Sequence, residues 1–74
     1  MMTLEVLIRI VASGGGVIID ASKFTLDGLV RIAANAAGKG SHVIIRNTGV
    51  IMPDDLVRIA ANGQGAVIFD FLDD

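Results

Sequence analysis

The chain has no cysteine, no tryptophan, no tyrosine, one histidine and one proline in 74 residues. Without cysteine there is neither a disulfide nor a thiolate metal site. His42 alone cannot build a zinc centre, so no metal and no cofactor are expected. Aromatic residues are limited to Phe24, Phe69 and Phe71, which leaves no stacking platform for bases. A net charge of −2 provides no basic footprint for a phosphate backbone, so nucleic acid is excluded as a partner. No apolar run approaches the length of a membrane span, which excludes the bilayer. The opening residues, Met1-Met2-Thr3-Leu4-Glu5, lack the basic and long apolar regions of a secretory leader, so a cytoplasmic location is expected.

What the chain has in abundance is Val, Ile, Leu and Ala. Hydrophobic residues make up 53% of it and the mean hydropathy is +0.69. One small domain, residues 1–74, is the expectation. A core of this size rarely supplies more than roughly 3–5 kcal/mol of net stability unaided. With disulfides and metals removed from the list of supports, a very apolar core or self-association remains, and the composition fits both.

The strongest internal signal is a repeat. Leu29-Val-Arg-Ile-Ala-Ala-Asn35 recurs unchanged as Leu56-Val-Arg-Ile-Ala-Ala-Asn62, 27 residues later, and Asp27 matches Asp54. An apolar triplet precedes each copy, Val17-Ile18-Ile19 and Val43-Ile44-Ile45, and a third, Val67-Ile68-Phe69, follows the second. A duplicated strand–helix unit, about 17–38 and 43–63, accounts for all of this, and its period is typical of repeat architectures. Within each copy Leu29, Ile32, Ala33 and Ala36, or Leu56, Ile59 and Ala60, share one helical face. Thr25 is placed to cap the first helix, Pro53 to open the second, and Gly38 and Gly63 to terminate them in the left-handed conformation. Phe24 with Leu29, and Ile51 with Leu56, have hydrophobic-staple spacing.

The triplets are β-branched and bounded by glycine or polar residues, as strands are. Leu4 to Val11 alternates and reads as a further strand, with Ser13-Gly14-Gly15-Gly16 turning it back as a hairpin. The predicted fold is therefore α/β, a small four-stranded mixed sheet with element order β-β-α-β-α-β. The first strand is antiparallel and the last three are parallel through right-handed helical crossovers. Crossovers of one hand put both helices on one face of the sheet; an interrupted strand order would put one on each. On the first arrangement the opposite face, carrying Ile44, Ile68 and Leu72, is an apolar surface larger than monomers tolerate. Those three residues are the candidate oligomer interface.

Ligands of open α/β sheets sit beyond the carboxyl ends of the parallel strands. That edge carries Asp20, Ser22, Lys23, Arg46, Asn47, Thr48 and Asp70, of which Asp20, Lys23, Arg46 and Asp70 are a candidate anion or small-ligand site. The plainer reading is a set of solvated loop residues in which Arg46 balances Asp20 and Asp70. No nucleophile–base pair accompanies them. Gly14-Gly15-Gly16 precedes a strand rather than a helix and lacks the lysine and hydroxyl of a phosphate-binding loop. Arg31, Asn35, Arg58 and Asn62 are a repeated polar stripe, read as solvent-facing positions inherited through duplication.

Val17-Ile-Ile-Asp20-Ala-Ser, Phe24-Thr-Leu-Asp-Gly28-Leu-Val and His42-Val-Ile-Ile-Arg-Asn-Thr48 together resemble the centre of a STAS domain, the family of the anti-sigma-factor antagonists. The resemblance spans about half the chain and implies regulation by binding partner proteins. In that family a serine at the helix start is a phosphorylation switch; here Thr25-Leu-Asp-Gly28 stands in that neighbourhood and the serine has no counterpart. The repeat period is also that of helix-containing leucine-rich repeats, whose leucine-and-asparagine strand pattern is absent. The reading that combines these features is a non-enzymatic module that binds itself or another protein. A small ligand-binding protein or enzyme working at the strand ends is the alternative.

Overall fold

In the computed structural model, which describes residues 3–72, Leu4–Ala12 is an α-helix (α1) and not a strand. Met1 and Met2, at the head of the segment read for a leader, lie outside the described residues. The apolar residues of α1 satisfy both periods. Leu4, Val6, Ile8 and Ile10 alternate, while Leu4, Leu7, Ile8 and Val11 recur at helical spacing. Two further features favour the helix. The Thr3 hydroxyl oxygen accepts from the Val6 N–H at 3.3 Å as an N-cap, and Glu5 in the first turn and Arg9 in the last complement the helix dipole. A helix buries Leu7 and Val11 and packs Leu4 and Ile8 beside them; a strand with apolar residues on both sides would leave one row in water. Ser13–Gly16 accordingly joins a helix to a strand. The Gly15 N–H donates to the Ile10 carbonyl at 3.0 Å, and Gly14 has a φ of +93°, open to glycine at little cost.

The sheet of the described residues is three-stranded and wholly parallel, in the order β1 (Val17–Asp20), β2 (Val43–Arg46), β3 (Val67–Phe69). It is not the four-stranded mixed sheet that the sequence reading expects, because the segment expected to supply the antiparallel strand is α1. Each crossover has the same build: strand, one 3-10 turn (Ala21–Lys23 or Thr48–Val50), then an 11-residue helix. The helices are α2 (Leu26–Ala36) and α3 (Pro53–Gly63). The strands repeat at an offset of 26 residues and the turns and helices at 27. The extra residue is Asn47, which stands in the left-handed region at φ 61°, a conformation asparagine enters more readily than most residues.

Thr25 caps α2, its hydroxyl oxygen accepting from the Gly28 N–H at 3.1 Å. Pro53 opens α3, where no side chain caps the helix. Gly63 is not the left-handed terminator of α3; Gln64 is, at φ 49°. Gly63 is the last helical residue, and a Cβ there would lie 2.5 Å from Cγ2 of Val67 and 3.5 Å from Cβ of Ala33. Glycine at this position lets α3, α2 and β3 converge.

The helices form one layer, with α2 between α1 and α3. Against it lie Ile19, Val43 and Ile45, packed with Leu7, Val11, Leu29, Ile32, Ala33, Ala36 and Ile59. The buried Ser41 hydroxyl donates to the Val11 carbonyl, tying the α2–β2 loop to the end of α1. Strand residues alternate strictly: Val43 and Ile45 are fully buried, and Ile44 between them is only half-buried.

Two substitutions test this packing by chemical denaturation. Ile45→Ala removes a fully buried side chain and is expected to lower stability by about 2–5 kcal/mol. Gly63→Ala gains helix propensity yet drives a methyl into Val67, and a net loss of about 1–2 kcal/mol is expected. An unchanged or raised denaturation midpoint for Gly63→Ala would contradict the convergence.

Candidate functional site

In-register parallel pairing sets Ile18, Ile44 and Ile68 side by side, and sets Asp20 opposite Arg46. Asp70 follows β3, its N–H donating to the Ile45 carbonyl at 2.9 Å, so it continues the ladder beside Arg46. Residues two apart share a face. The face away from the helices therefore carries an apolar row, Ile18–Ile44–Ile68, and one step nearer the strand ends a charged row, Asp20–Arg46–Asp70.

The charged row is bonded within itself and to its own turns. Arg46 Nε lies 3.4 Å from Asp70 Oδ2. Asp70 Oδ1 accepts from the Leu72 N–H at 2.9 Å. Asp20 Oδ1 accepts from the backbone N–H and the hydroxyl of Ser22, at 2.9 and 2.7 Å, and from Asn47 Nδ2 at 3.2 Å. These donors favour the carboxylate and hold the Asp20 pKa below the ordinary aspartate value, the Ser22 hydroxyl contributing most. Asp20 thus caps the 3-10 turn and pins Asn47 across the strand gap. Ile18, Asp20, Arg46 and Asn47 line an open depression of about 350 Å³.

Lys23 does not join this group. It lines a separate cavity of about 510 Å³ on the outer flank of β1, with Leu7, Ile10, Val17, Ile18, Ile19 and Phe24. Its charge adds only the smallest of the effects that lower the Asp20 pKa. Of the four residues that the strand-end argument selects, the structure brings Asp20, Arg46 and Asp70 into one row and places Lys23 elsewhere. His42 stands at the opposite edge of the sheet, its carbonyl accepting from the Val17 N–H at 3.0 Å. No histidine therefore stands beside the Ser22–Asp20 pair. Among the described residues no three His, Asp or Glu side chains gather into a metal-binding group.

The apolar row is accessible. Ile18 is 66% exposed and Ile68 46%, with Ile44 half-buried between them. Leu72 is 96% exposed, beside Phe71, whose ring stacks on Phe69 at a centroid distance of 6.0 Å. One member escapes the sequence reading: Ile18 has the same place in its triplet as Ile44, and the alternation of the strand alone identifies it. Asn47 is among the strand-end residues that the sequence selects, and it is the one-residue mismatch between strand and helix offsets.

No helix of the described residues is long and apolar enough to cross a membrane. No family model, curated protein or solved structure matches the chain. Its functional reading therefore rests on this geometry.

The charged row generates two expectations. Arg46→Ala breaks a half-exposed ion pair and should cost at most about 1 kcal/mol in denaturation experiments. A larger loss would mean that the row is energetically coupled to the core. Asp20 has a folded-state pKa below its unfolded value, so its contribution to stability is present above the unfolded pKa and disappears as pH falls through the folded one. Denaturation midpoints measured across the acid range should show Asp20→Asn flattening that limb, with little change in its pH dependence at neutrality.

Proposed function

We propose that the chain is a non-enzymatic interaction module that associates with a second copy of itself through the uncovered sheet face. The observation that carries this reading is the row Ile18–Ile44–Ile68, three aligned isoleucines on a face that no helix of the described chain covers. Parallel sheets are found almost only with both faces covered, because their strands are apolar on both sides. Leu72, 96% exposed beyond the end of β3, is a further apolar side chain open to a partner. The neighbouring row, alternating in sign from Asp20 through Arg46 to Asp70, is a polar rim of the kind that surrounds the apolar centre of an interface.

The alternative, a ligand or catalytic site at the strand ends, has less support. The Asp20 carboxylate is occupied by its own turn and by Asn47, and Arg46 by Asp70. Lys23, the other cation invoked for an anion site, lines a different cavity. A partner-binding role of the kind the STAS resemblance implies would use the same sheet face with a different occupant.

Sedimentation equilibrium at micromolar to submillimolar concentration tests the reading. The unsubstituted chain should show a mass above one protomer. Ile18→Glu places a charge on an exposed position without touching the core, and should raise the dissociation constant at least tenfold, about 1.4 kcal/mol. A single-chain mass throughout that range would refute self-association through this face.

A further inference from the structure

A second apolar surface lies at the end of the repeat stack, and its composition is that of an internal joint. In the first unit Leu29 and Ala33 are buried and Val30 is half-buried. These residues form the flank of α2 that receives α3: Ala33 lies against Gly63, and Leu29 shares a cleft with Met52 and Asp55. The corresponding residues of the second unit are identical, Leu56, Val57 and Ala60, but no helix of the described chain lies on them. Val57 is 69% exposed, Ala60 is exposed and Leu56 half-buried. Among the described residues no unit packs on this flank, yet it retains the face of a unit that has a neighbour.

The strand beneath α3 is open as well. β3 is the last strand of the sheet. The Val43 N–H donates to the Ala66 carbonyl and the Asp70 N–H to the Ile45 carbonyl, so alternation turns Ile68 toward β2 and the N–H and C=O groups of Val67 and Phe69 toward the outer edge. β3 carries no lysine, proline or other charge, the devices that guard natural sheet edges.

We infer that this end is a docking surface for a second copy of the chain, joined about a two-fold axis through Ile68 so that two sheets fuse into one of six strands. Antiparallel pairing about that axis sets Val67 of each copy opposite Phe69 of the other, the two residues whose backbone groups point outward. The same axis keeps both helix layers on one side and brings the two α3 flanks together. An isologous contact needs a self-complementary surface. Here the flank is uncharged, the small Ala60 permits close approach, and Asp54 and Arg58, one turn apart at its rim, are set acid toward base by the antiparallel arrangement. The joint is distinct from the sheet-face association and stands or falls independently of it.

The absence of cysteine makes a direct test possible. A residue on the two-fold axis faces itself as a non-hydrogen-bonded pair, with Cα atoms about 4.5 Å apart, inside the range that a disulfide spans. Ile68→Cys is therefore introduced together with Ile18→Glu, which disables the sheet face, and the chain is exposed to oxidised glutathione. A disulfide-linked dimer should form in most of the protein, and adding Ala60→Glu, at an exposed position, should abolish it. No linked dimer, or one that forms equally well with Ala60→Glu, would overturn the inference. Amide exchange on the unsubstituted chain is the independent check: protection of Val67 and Phe69 should rise with protein concentration, and concentration-independent exchange would equally overturn it.

Discussion

Val43 and Ile45 are fully buried while Ile44 between them is not, and that alternation governs the molecule. Three parallel strands of four, four and three residues have apolar side chains on both faces, but the described chain supplies one layer of helices. The helix layer takes Ile19, Val43 and Ile45 as its floor, and the register of the sheet then leaves Ile18, Ile44 and Ile68 in a line on the other side. No element of the described residues remains to cover them. Leu29, Ile32 and Ala33 of one heptapeptide copy and Ile59 of the other enter the core, so the packing between α2 and α3 is already an association of a sequence with itself.

The polar features serve this arrangement. Asp20 closes the 3-10 turn after β1 and reaches Asn47, the residue by which the second crossover exceeds the first. Arg46 answers Asp70 across the next strand gap. Together they finish the strand ends with their hydrogen-bonding and charge requirements largely met within the chain. That is the character expected of an interface rim, whereas a site meant to seize a substrate leaves its charged groups available.

How far the sequence discloses this structure depends on the element. The duplicated heptapeptide, with Thr25 capping one copy and Pro53 opening the other, marks α2 and α3 plainly, and the β-branched triplets mark the three strands. Leu4–Ala12 is the instructive failure. Its apolar residues satisfy a period of two and a period of 3.6 at once, and the alternation is the more conspicuous; the Thr3 cap and the placement of Glu5 and Arg9 are the cues that favour a helix. That one misassignment added a strand to the sheet and a hairpin to Ser13–Gly16. Gly63 was legible as a special position but for the wrong reason, because the close approach of Val67 and Ala33 is a tertiary fact that no local pattern encodes. Among the charged residues, Asp20, Arg46 and Asp70 followed from strand ends alone. Lys23 did not, because the 3-10 turn carries it round to the outer flank of β1.

The central claim is that one helix layer leaves one sheet face open. Isoleucine methyl signals report it directly, since Ile18, Ile44 and Ile68 lie on the open face and Ile19, Ile32, Ile45 and Ile59 in the core. With a soluble paramagnetic probe and a dilution series, the methyls of Ile18 and Ile68 should be strongly relaxed in dilute protein, that of Ile44 less so. All three should become protected as concentration rises, while those of Ile19, Ile32, Ile45 and Ile59 stay protected throughout. If Ile18 and Ile68 were as protected as Ile45 at every dilution, the face would be covered by the chain itself and the account of a one-sided sheet would be contradicted.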